Sequence, residues 1–136
     1  MLPVIILAGG LAKRLRPLKK KIPKALIKIS GKPFIYHQLN YLRKQGVKRV
    51  IICVGYLGDM IKNSVGNGEK FDIKVSYSED WPELLGTGGA IKKALPLIRD
   101  KFFILYGDSL LLGYLFLKTS LQLLFLISNS QQLFLP

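Results

Sequence analysis

The sequence has few acidic residues and almost no cysteine or histidine. Of its 136 residues, eight are Asp or Glu, one is Cys and one is His. A single cysteine cannot form an internal disulfide, and no Cys/His spacing typical of a metal site is present. Cys53 lies in the apolar run Val50-Ile51-Ile52-Cys53-Val54. We therefore expect a buried structural thiol in a protein of the reducing cytoplasm.

A recognisable signal peptide is also lacking. Residues 1–8 are apolar, but they have no basic start and end at Gly9-Gly10, which suits a buried strand. Residues 110–136 are Leu-rich, with Lys118 as their only charge. Thr, Ser and Gln interrupt this tail, so it is marginal as a transmembrane helix and too apolar for an amphipathic one. We do not favour a membrane partner, and we interpret the tail as the product of a shifted reading frame or a damaged gene.

Positive charge is what the sequence has in excess. Twenty-one Lys and Arg residues give a formal net charge of +13, which favours polyanionic partners. Many of them crowd one segment beside a glycine pair: Lys13, Arg14, Arg16, Lys19, Lys20, Lys21, Lys24 and Lys28. This distribution indicates a phosphate pocket rather than a nucleic-acid-binding face. A solvated basic loop is the alternative for residues 19–21.

Apolar runs alternate with helical patterns along residues 4–106. Residues 4–8 and 49–54 form nearly continuous apolar runs, typical of parallel strands covered on both faces. The other elements are predicted from their periodicity: strands at 73–77 and 102–106, and helices at 33–45, 57–65 and 88–97. The strand at 73–77 alternates and is expected nearer a sheet edge. This order predicts an α/β fold with a Rossmann-like, mostly parallel sheet and helices on both faces.

The first predicted strand delivers the chain to Gly9 and Gly10. Glycine has no Cβ, so backbone N–H groups can approach phosphate oxygens closely. Basic side chains just after the glycines, Arg14 among them, can add charge-assisted hydrogen bonds to the same anion. The pattern is neither a P-loop nor the dinucleotide fingerprint. Together with the basic motif around Lys24, it predicts phosphate binding.

Several further motifs follow in a fixed order. They are Leu7-Ala8-Gly9-Gly10-x-x-x-Arg14-Leu15-x-Pro17-Leu18, Pro23-Lys24-x-Leu26, Gly31-Lys32-Pro33, Tyr77-Ser78-Glu79, Leu85-Gly86-Thr87-Gly88-Gly89-Ala90 and Leu105-Tyr106-Gly107-Asp108. Together they resemble the opening of the sugar-phosphate nucleotidyltransferase family, closest to the branch acting on heptose or hexose 1-phosphates. The resemblance implies transfer of a nucleotidyl group from a nucleoside triphosphate to a sugar 1-phosphate, with release of pyrophosphate. Residues 1–109 would be the N-terminal part of a truncated nucleotidyltransferase domain, and residues 110–136 an atypical tail.

The resemblance also implies roles for matching residues. The triphosphate would lie against the end of the first strand, at Leu7, Ala8, Gly9 and Gly10. Arg14 would contact its β/γ end, Lys24 would lie near the reacting phosphates, and Asp108 would hold Mg²⁺. The physical reading agrees, because ligands of open α/β sheets bind beyond the carboxyl ends of strands and Mg²⁺ prefers carboxylate and phosphate oxygens. A helix cap or turn residue is the alternative for Asp108.

Glu79 and the turn containing Gly86, Thr87 and Gly88 are implied to hold the base and sugar of the nucleotide. A carboxylate only accepts hydrogen bonds. Guanine offers two adjacent donors whereas uracil and thymine offer one, so GTP is favoured over the uridylyl or thymidylyl alternatives. A solvated Glu79 is the alternative reading. Trp81, beside Pro82, is expected to pack within its loop rather than stack on a base.

Departures from the family pattern limit the functional prediction. Ala12 stands where many members have glycine, and Lys13 and Lys19 stand where a hydroxyl residue is frequent. The family's catalytic domain is considerably longer, and it supplies a second acidic metal ligand and most sugar contacts beyond this point. An inactive nucleotide-binding fragment is therefore the alternative to an active enzyme. The identity of the sugar and a homo-oligomeric state stay open.

Overall fold

The computed structural model describes residues 1–9, 22–83, 85–99 and 101–107. A parallel sheet of four strands, in the order β5-β4-β1-β6, carries helices on both faces. The strands are β1 (Val4–Leu7), β4 (Arg49–Val54), β5 (Lys74–Glu79) and β6 (Phe103–Tyr106). The helices are α1 (Phe34–Lys44), α2 (Gly58–Val65) and α3 (Gly86–Ala94), and a hairpin is formed by β2 (Lys28–Ile29) and β3 (Lys32–Pro33). The predicted α/β architecture is confirmed.

The central strands β1 and β4 are buried on both sides, which explains their continuous apolar sequence. Successive side chains of a strand point to opposite faces. Val4 and Ile6 therefore join the apolar cluster under α1 and α2, whereas Ile5 joins the cluster under α3. The parallel register pairs Val4 with Val50.

The helices bury the faces that their periodicity predicts. On α1, Ile35, Leu39 and Leu42 are fully buried and lie on one side of the helix. The face of α3 is made of small residues, Ala90 and Ala94, which pack against the sheet. Among the described helices, none has the length and apolarity that a membrane crossing requires.

Element boundaries differ from the predicted ones by a few residues. The strand predicted at 73–77 is confirmed at the sheet edge as β5, but it continues to Glu79. Helix α3 begins at Gly86 rather than residue 88, and it gives way to a 3-10 turn, Leu95–Leu97, that contains Pro96. Proline lacks the N–H needed to continue an α-helix. The tail at 110–136 lies outside the described residues.

The short hairpin before α1 is an element that the periodicity does not reveal. Its two-residue turn consists of Ser30 and Gly31, both with positive φ, at 50° and 76°. Such turns match the twist of paired strands and favour glycine. Pro33 closes this hairpin, so α1 starts one residue later than predicted, at Phe34.

Candidate functional site

The carboxyl ends of the four parallel strands meet at one edge of the sheet, here called the carboxyl edge. Hydrogen bonds continue the strand pairing slightly beyond the strands themselves. The N–H of Ala8 donates to the carbonyl of Cys53 at 2.8 Å, and that of Gly107 donates to Leu7 at 2.8 Å. The N–H of Asp80 donates to Val54 at 3.1 Å. The backbone at this edge is therefore held in register where ligands of open α/β sheets bind.

Gly9 and Gly55 bring two strand ends into close backbone contact. A Cβ atom at Gly55 would lie 3.0 Å from the carbonyl oxygen of Gly9, and one at Gly9 would lie 3.2 Å from the nitrogen of Gly55. Any side chain at either position would push the two segments apart. The two glycines thus form a contact lined by backbone, here called the crevice, at the edge where open α/β sheets bind phosphate or nucleoside groups.

Asp80 places a carboxylate in this crevice. Its Oδ1 atom lies 3.0 Å from the Cβ position of Gly55 and 3.5 Å from that of Gly9. This oxygen is buried and finds no hydrogen-bond partner within the described ranges. The other oxygen, Oδ2, accepts the N–H of Leu85 at 3.4 Å. A buried carboxylate oxygen without a donor is energetically costly, which suits a site that receives its donor from a ligand.

Glu79, the sequence-predicted base contact, faces the other side of the sheet. Its Oε2 accepts a hydrogen bond from Lys62 Nζ at 2.7 Å, and Asp59 lies 3.7 Å from the same ammonium. The hydrogen bond to Glu79 raises the pKa of Lys62. Glu79 therefore already has a cationic partner on α2, whereas Asp80 does not have one in the described part of the chain.

The alternation of β5 explains why the two adjacent carboxylates differ. Val75 and Tyr77 pack with the cluster under α1 and α2, so Glu79 continues that face. Asp80 continues the opposite face, on which α3 lies. Asp80 is not among the predicted site residues, although the Glu79-Asp80 pair at a strand end and the period of two point to a carboxylate on this face.

The predicted site residues at the ends of β1 and the start of α3 come together at the carboxyl edge. Leu7, Ala8 and Gly9 run out of β1 into the crevice. The first residues of α3, Gly86–Gly88, follow Leu85, whose N–H is bonded to Asp80. Asp80 thus connects the two groups of predicted nucleotide-binding residues.

Other predicted site residues lie away from the crevice or outside the described residues. Lys24 opens a half-buried 3-10 turn, Lys24–Leu26, whose Ala25 packs in the cluster under α1. Gly10, Arg14 and Asp108 lie outside the described residues. No group of three or more His, Cys, Asp or Glu side chains suited to a metal occurs among the residues that the structure describes.

Two aromatic side chains stand at the rim of the crevice. Tyr56 follows Gly55, and Trp81 follows Asp80. Their ring centroids are 5.1 Å apart with an interplanar angle of 52°. This contact fits the expected packing of Trp81 within its loop, but the residue stays 47% exposed.

The expected buried thiol is found behind the crevice. Cys53 is buried, and its Sγ lies 3.7 Å from the carbonyl oxygen of Ala90 on α3. Burial, with a smaller contribution from the charge of Asp80, raises the pKa of Cys53 to about 11. The thiol is therefore protonated at neutral pH, as a structural cysteine requires.

Known proteins resemble this chain in sequence. The sequence matches the family model described as nucleotidyl transferase over residues 3–121. It is 44% identical over 105 residues to the D-glycero-alpha-D-manno-heptose 1-phosphate guanylyltransferase of Campylobacter jejuni, covering 77% of this chain and 47% of that protein.

Solved structures with the same fold give a consistent result. The crystal structure of HddC from Yersinia pseudotuberculosis complexed with GMP-PN has a TM-score of 0.71 and 44% identity, over 79% of this chain and 48% of that one. The inositol-1-phosphate CTP transferase from T. maritima has a TM-score of 0.64 and 28% identity, over 81% and 44% of the two chains. The chain thus spans about half the length of the relatives it matches.

Proposed function

Because the chain belongs to the nucleotidyl transferase family, we propose that it transfers a nucleotidyl group from GTP to a sugar 1-phosphate, releasing pyrophosphate. Sequence similarity to a heptose 1-phosphate guanylyltransferase supports the substrate class. The structural observation that carries the proposal is the unpartnered Asp80 oxygen between Gly9 and Gly55. It offers an acceptor where a nucleotide would enter the carboxyl edge.

Asp80 is our proposed contact for the nucleobase. The ring N–H and amino group of guanine are two adjacent donors, and a carboxylate accepts both. Uracil and thymine offer one donor each, so the same carboxylate favours guanine. Glu79 is the weaker candidate because its Oε2 is paired with the Lys62 ammonium at 2.7 Å, whereas Asp80 Oδ2 accepts only a long hydrogen bond, 3.4 Å, from the N–H of Leu85. Specificity for UTP or a thymidine nucleotide is the alternative.

The phosphates are proposed to follow the backbone of Leu7, Ala8, Gly9 and Gly10 towards the basic loop. The sugar 1-phosphate oxygen would attack the α-phosphorus in line, and pyrophosphate would leave. Arg14 and Lys24 would offset the negative charge on the leaving group, because catalysis of this type depends mainly on positioning and charge neutralisation. No nucleophilic side chain is needed.

Enzymes of this family commonly use a divalent metal, and Asp108 is the proposed ligand in this chain. It follows Gly107 directly, and Gly107 is bonded to Leu7 at the carboxyl edge. A single hard carboxylate fits Mg²⁺, which takes its other ligands from substrate phosphates and water. The bound ion would neutralise phosphate charge.

The proposed location is the cytoplasm, and no nucleic-acid partner is proposed.

The base assignment is tested by two variants of nearly identical size, Asp80→Asn and Glu79→Gln. Calorimetry would give the Kd of GTP and of UTP for each. We expect Asp80→Asn to remove most of the preference for GTP, since the amide replaces one acceptor by a donor. Glu79→Gln should keep the preference. Loss of discrimination in Glu79→Gln with an unchanged Asp80→Asn would return the role to Glu79.

Catalysis is tested by pyrophosphate release from GTP with heptose and hexose 1-phosphates as acceptors. Acceptor-dependent release supports transfer by this chain. GTP binding without release would instead support the second candidate, a nucleotide-binding fragment without transfer activity.

A further inference from the structure

The aromatic pair Tyr56–Trp81 at the rim of the crevice is not used by the chemistry proposed above. We propose that this pair forms one wall of the nucleotide site and that the purine base packs flat against the exposed face of Trp81. The inference rests on the proposed function, which supplies the nucleotide. Stacking on this pair would contribute to nucleotide affinity independently of the hydrogen bonds that select the base.

The position of the pair follows from the contact between two loops. Tyr56 and Trp81 each come one residue after a member of the Gly55–Asp80 contact, in which Asp80 Oδ1 lies 3.0 Å from the Cβ position of Gly55. The rings then meet at 5.1 Å between centroids. The two loops are therefore close at two places, where Asp80 lies beside Gly55 and where the rings of Tyr56 and Trp81 meet.

The exposure of the pair is unequal, as a stacking surface requires. Tyr56 is half-buried and contacts the indole at an interplanar angle of 52°, whereas Trp81 keeps 47% of its surface exposed. If Trp81 served only to pack its loop, burying more of the indole would stabilise the fold further, because the indole is the main apolar surface of a tryptophan. The exposed surface of Trp81 is available to a second planar group.

The neighbouring carboxylate indicates that this second group is a base. Asp80 can accept donors from the edge of a base, and Trp81, the next residue, can cover its face. Every base has a π-face, so stacking adds affinity with little discrimination. Edge contacts supply the discrimination. The two residues should therefore affect different quantities: Trp81 the affinity for all nucleotides, and Asp80 the preference among them.

Trp81 is the only tryptophan in the chain, so its fluorescence reports this contact directly. The full chain would be titrated with GTP and, as a probe without a base, with inorganic tripolyphosphate. We expect saturable quenching of Trp81 emission by GTP. Tripolyphosphate should bind by calorimetry without quenching, because it occupies only the phosphate positions.

Three variants separate stacking from general stability. In Trp81→Leu, the Kd for GTP and the Kd for UTP should each rise by about tenfold. A loss of this size lies in the lower part of the range for removal of a stacking aromatic side chain. Trp81→Phe keeps a ring and should bind almost as the wild type does. Leu95→Ala is the matched control, because Leu95 is a 41% exposed apolar residue beyond the far end of α3; its Kd should not change.

Two results would overturn the inference. If GTP binds by calorimetry without quenching and Trp81→Leu binds it equally well, the aromatic wall has no role, while the proposed function stands. If the wild type binds neither GTP nor tripolyphosphate, the proposed function itself fails and the aromatic wall fails with it.

Discussion

At the end of β5, two adjacent acidic residues have different surroundings because a strand alternates its side chains. Glu79 meets Lys62 on α2, and Asp80 meets the backbone of Gly9 and Gly55. The sequence motif containing Glu79 predicts a carboxylate near the base, but it does not say which of the two faces the crevice. The period of two predicts that they face opposite sides of the sheet, but which side carries the crevice depends on the pairing of β5 with β4, a non-local property that pairs Val54 with Glu79.

The glycine contact at the carboxyl edge can be tested by adding one methyl group. Gly55→Ala would place a Cβ 3.0 Å from both Gly9 O and Asp80 Oδ1, closer than ordinary van der Waals contact. We expect the backbone of the crevice to shift and the Kd for GTP to rise by about tenfold or more, because close-packed structure transmits the strain of an added methyl group to the proposed nucleotide contacts. Asn63→Ala, at an exposed position of α2, is the control. Calorimetry showing equal Kd values for wild type and Gly55→Ala would contradict this account of the crevice.

At the scale of elements, apolar periodicity predicts β1, β4, α1 and α2 closely because burial determines their sequences. Helix α3 is predicted less well at its start. Its first turn contains Gly86, Gly88 and Gly89, which have low helix propensity. Packing of Ala90 and Ala94 against the sheet stabilises this helix, and a sequence window does not contain that information.

One buried polar residue connects two elements that are distant in sequence. Gln38 lies on the apolar face of α1, is fully buried, and donates from Nε2 to the carbonyl of Tyr106 at 2.8 Å. Tyr106 ends β6, two residues before Asp108. Periodicity predicts an apolar residue at position 38, so this link between α1 and the end of β6 could not be predicted from sequence alone.

Gln38→Met keeps the side-chain volume but removes the donor to Tyr106. We expect the free energy of unfolding to fall by about 1–3 kcal/mol, the cost of leaving a partly buried acceptor unpaired. Urea denaturation would measure the change. Leu42→Met, on the same face of α1, is the control and should cost less, because it conserves volume without affecting a polar contact. Equal losses in the two variants would mean that the Tyr106 hydrogen bond contributes nothing specific.

At the scale of the whole molecule, the sequence predicts a parallel sheet covered on both faces, and the structure confirms it. The alternation of β5 predicts its place near an edge, but the full order β5-β4-β1-β6 is not predicted, because pairing between distant segments leaves no local pattern. The order matters for the proposed function, since it brings the ends of β1, β4 and β5 together around Gly9, Gly55 and Asp80.

Global stability should depend on the ionisation of the buried thiol at alkaline pH. The pKa of Cys53 is raised from 9.0 to about 11 in the folded state. Between these values the unfolded chain releases the proton and the folded chain keeps it. Stability should therefore fall as pH rises through this window, by up to about 1.4 kcal/mol per pH unit.

Comparing wild type with Cys53→Ala isolates this contribution. Burial also raises the pKa of Tyr77, to about 12, but that effect is common to both proteins and cancels in the comparison. Urea unfolding at pH 8 and pH 10.5 should show a larger loss of stability with pH in the wild type than in the variant. The same pH dependence in both proteins would contradict the assignment.

The central claim is that the carboxyl edge of the sheet binds a nucleoside triphosphate, and mapping GTP onto the labelled chain tests it most directly. In ¹H–¹⁵N spectra recorded during a GTP titration, the largest saturable shifts should fall on the amides of Gly9, Gly55, Asp80 and Leu85. Lys48 and Lys74, at the amino edge of the sheet, should keep their positions. Saturable shifts centred on Lys48 and Lys74, with Gly9 and Asp80 unchanged, would contradict the account.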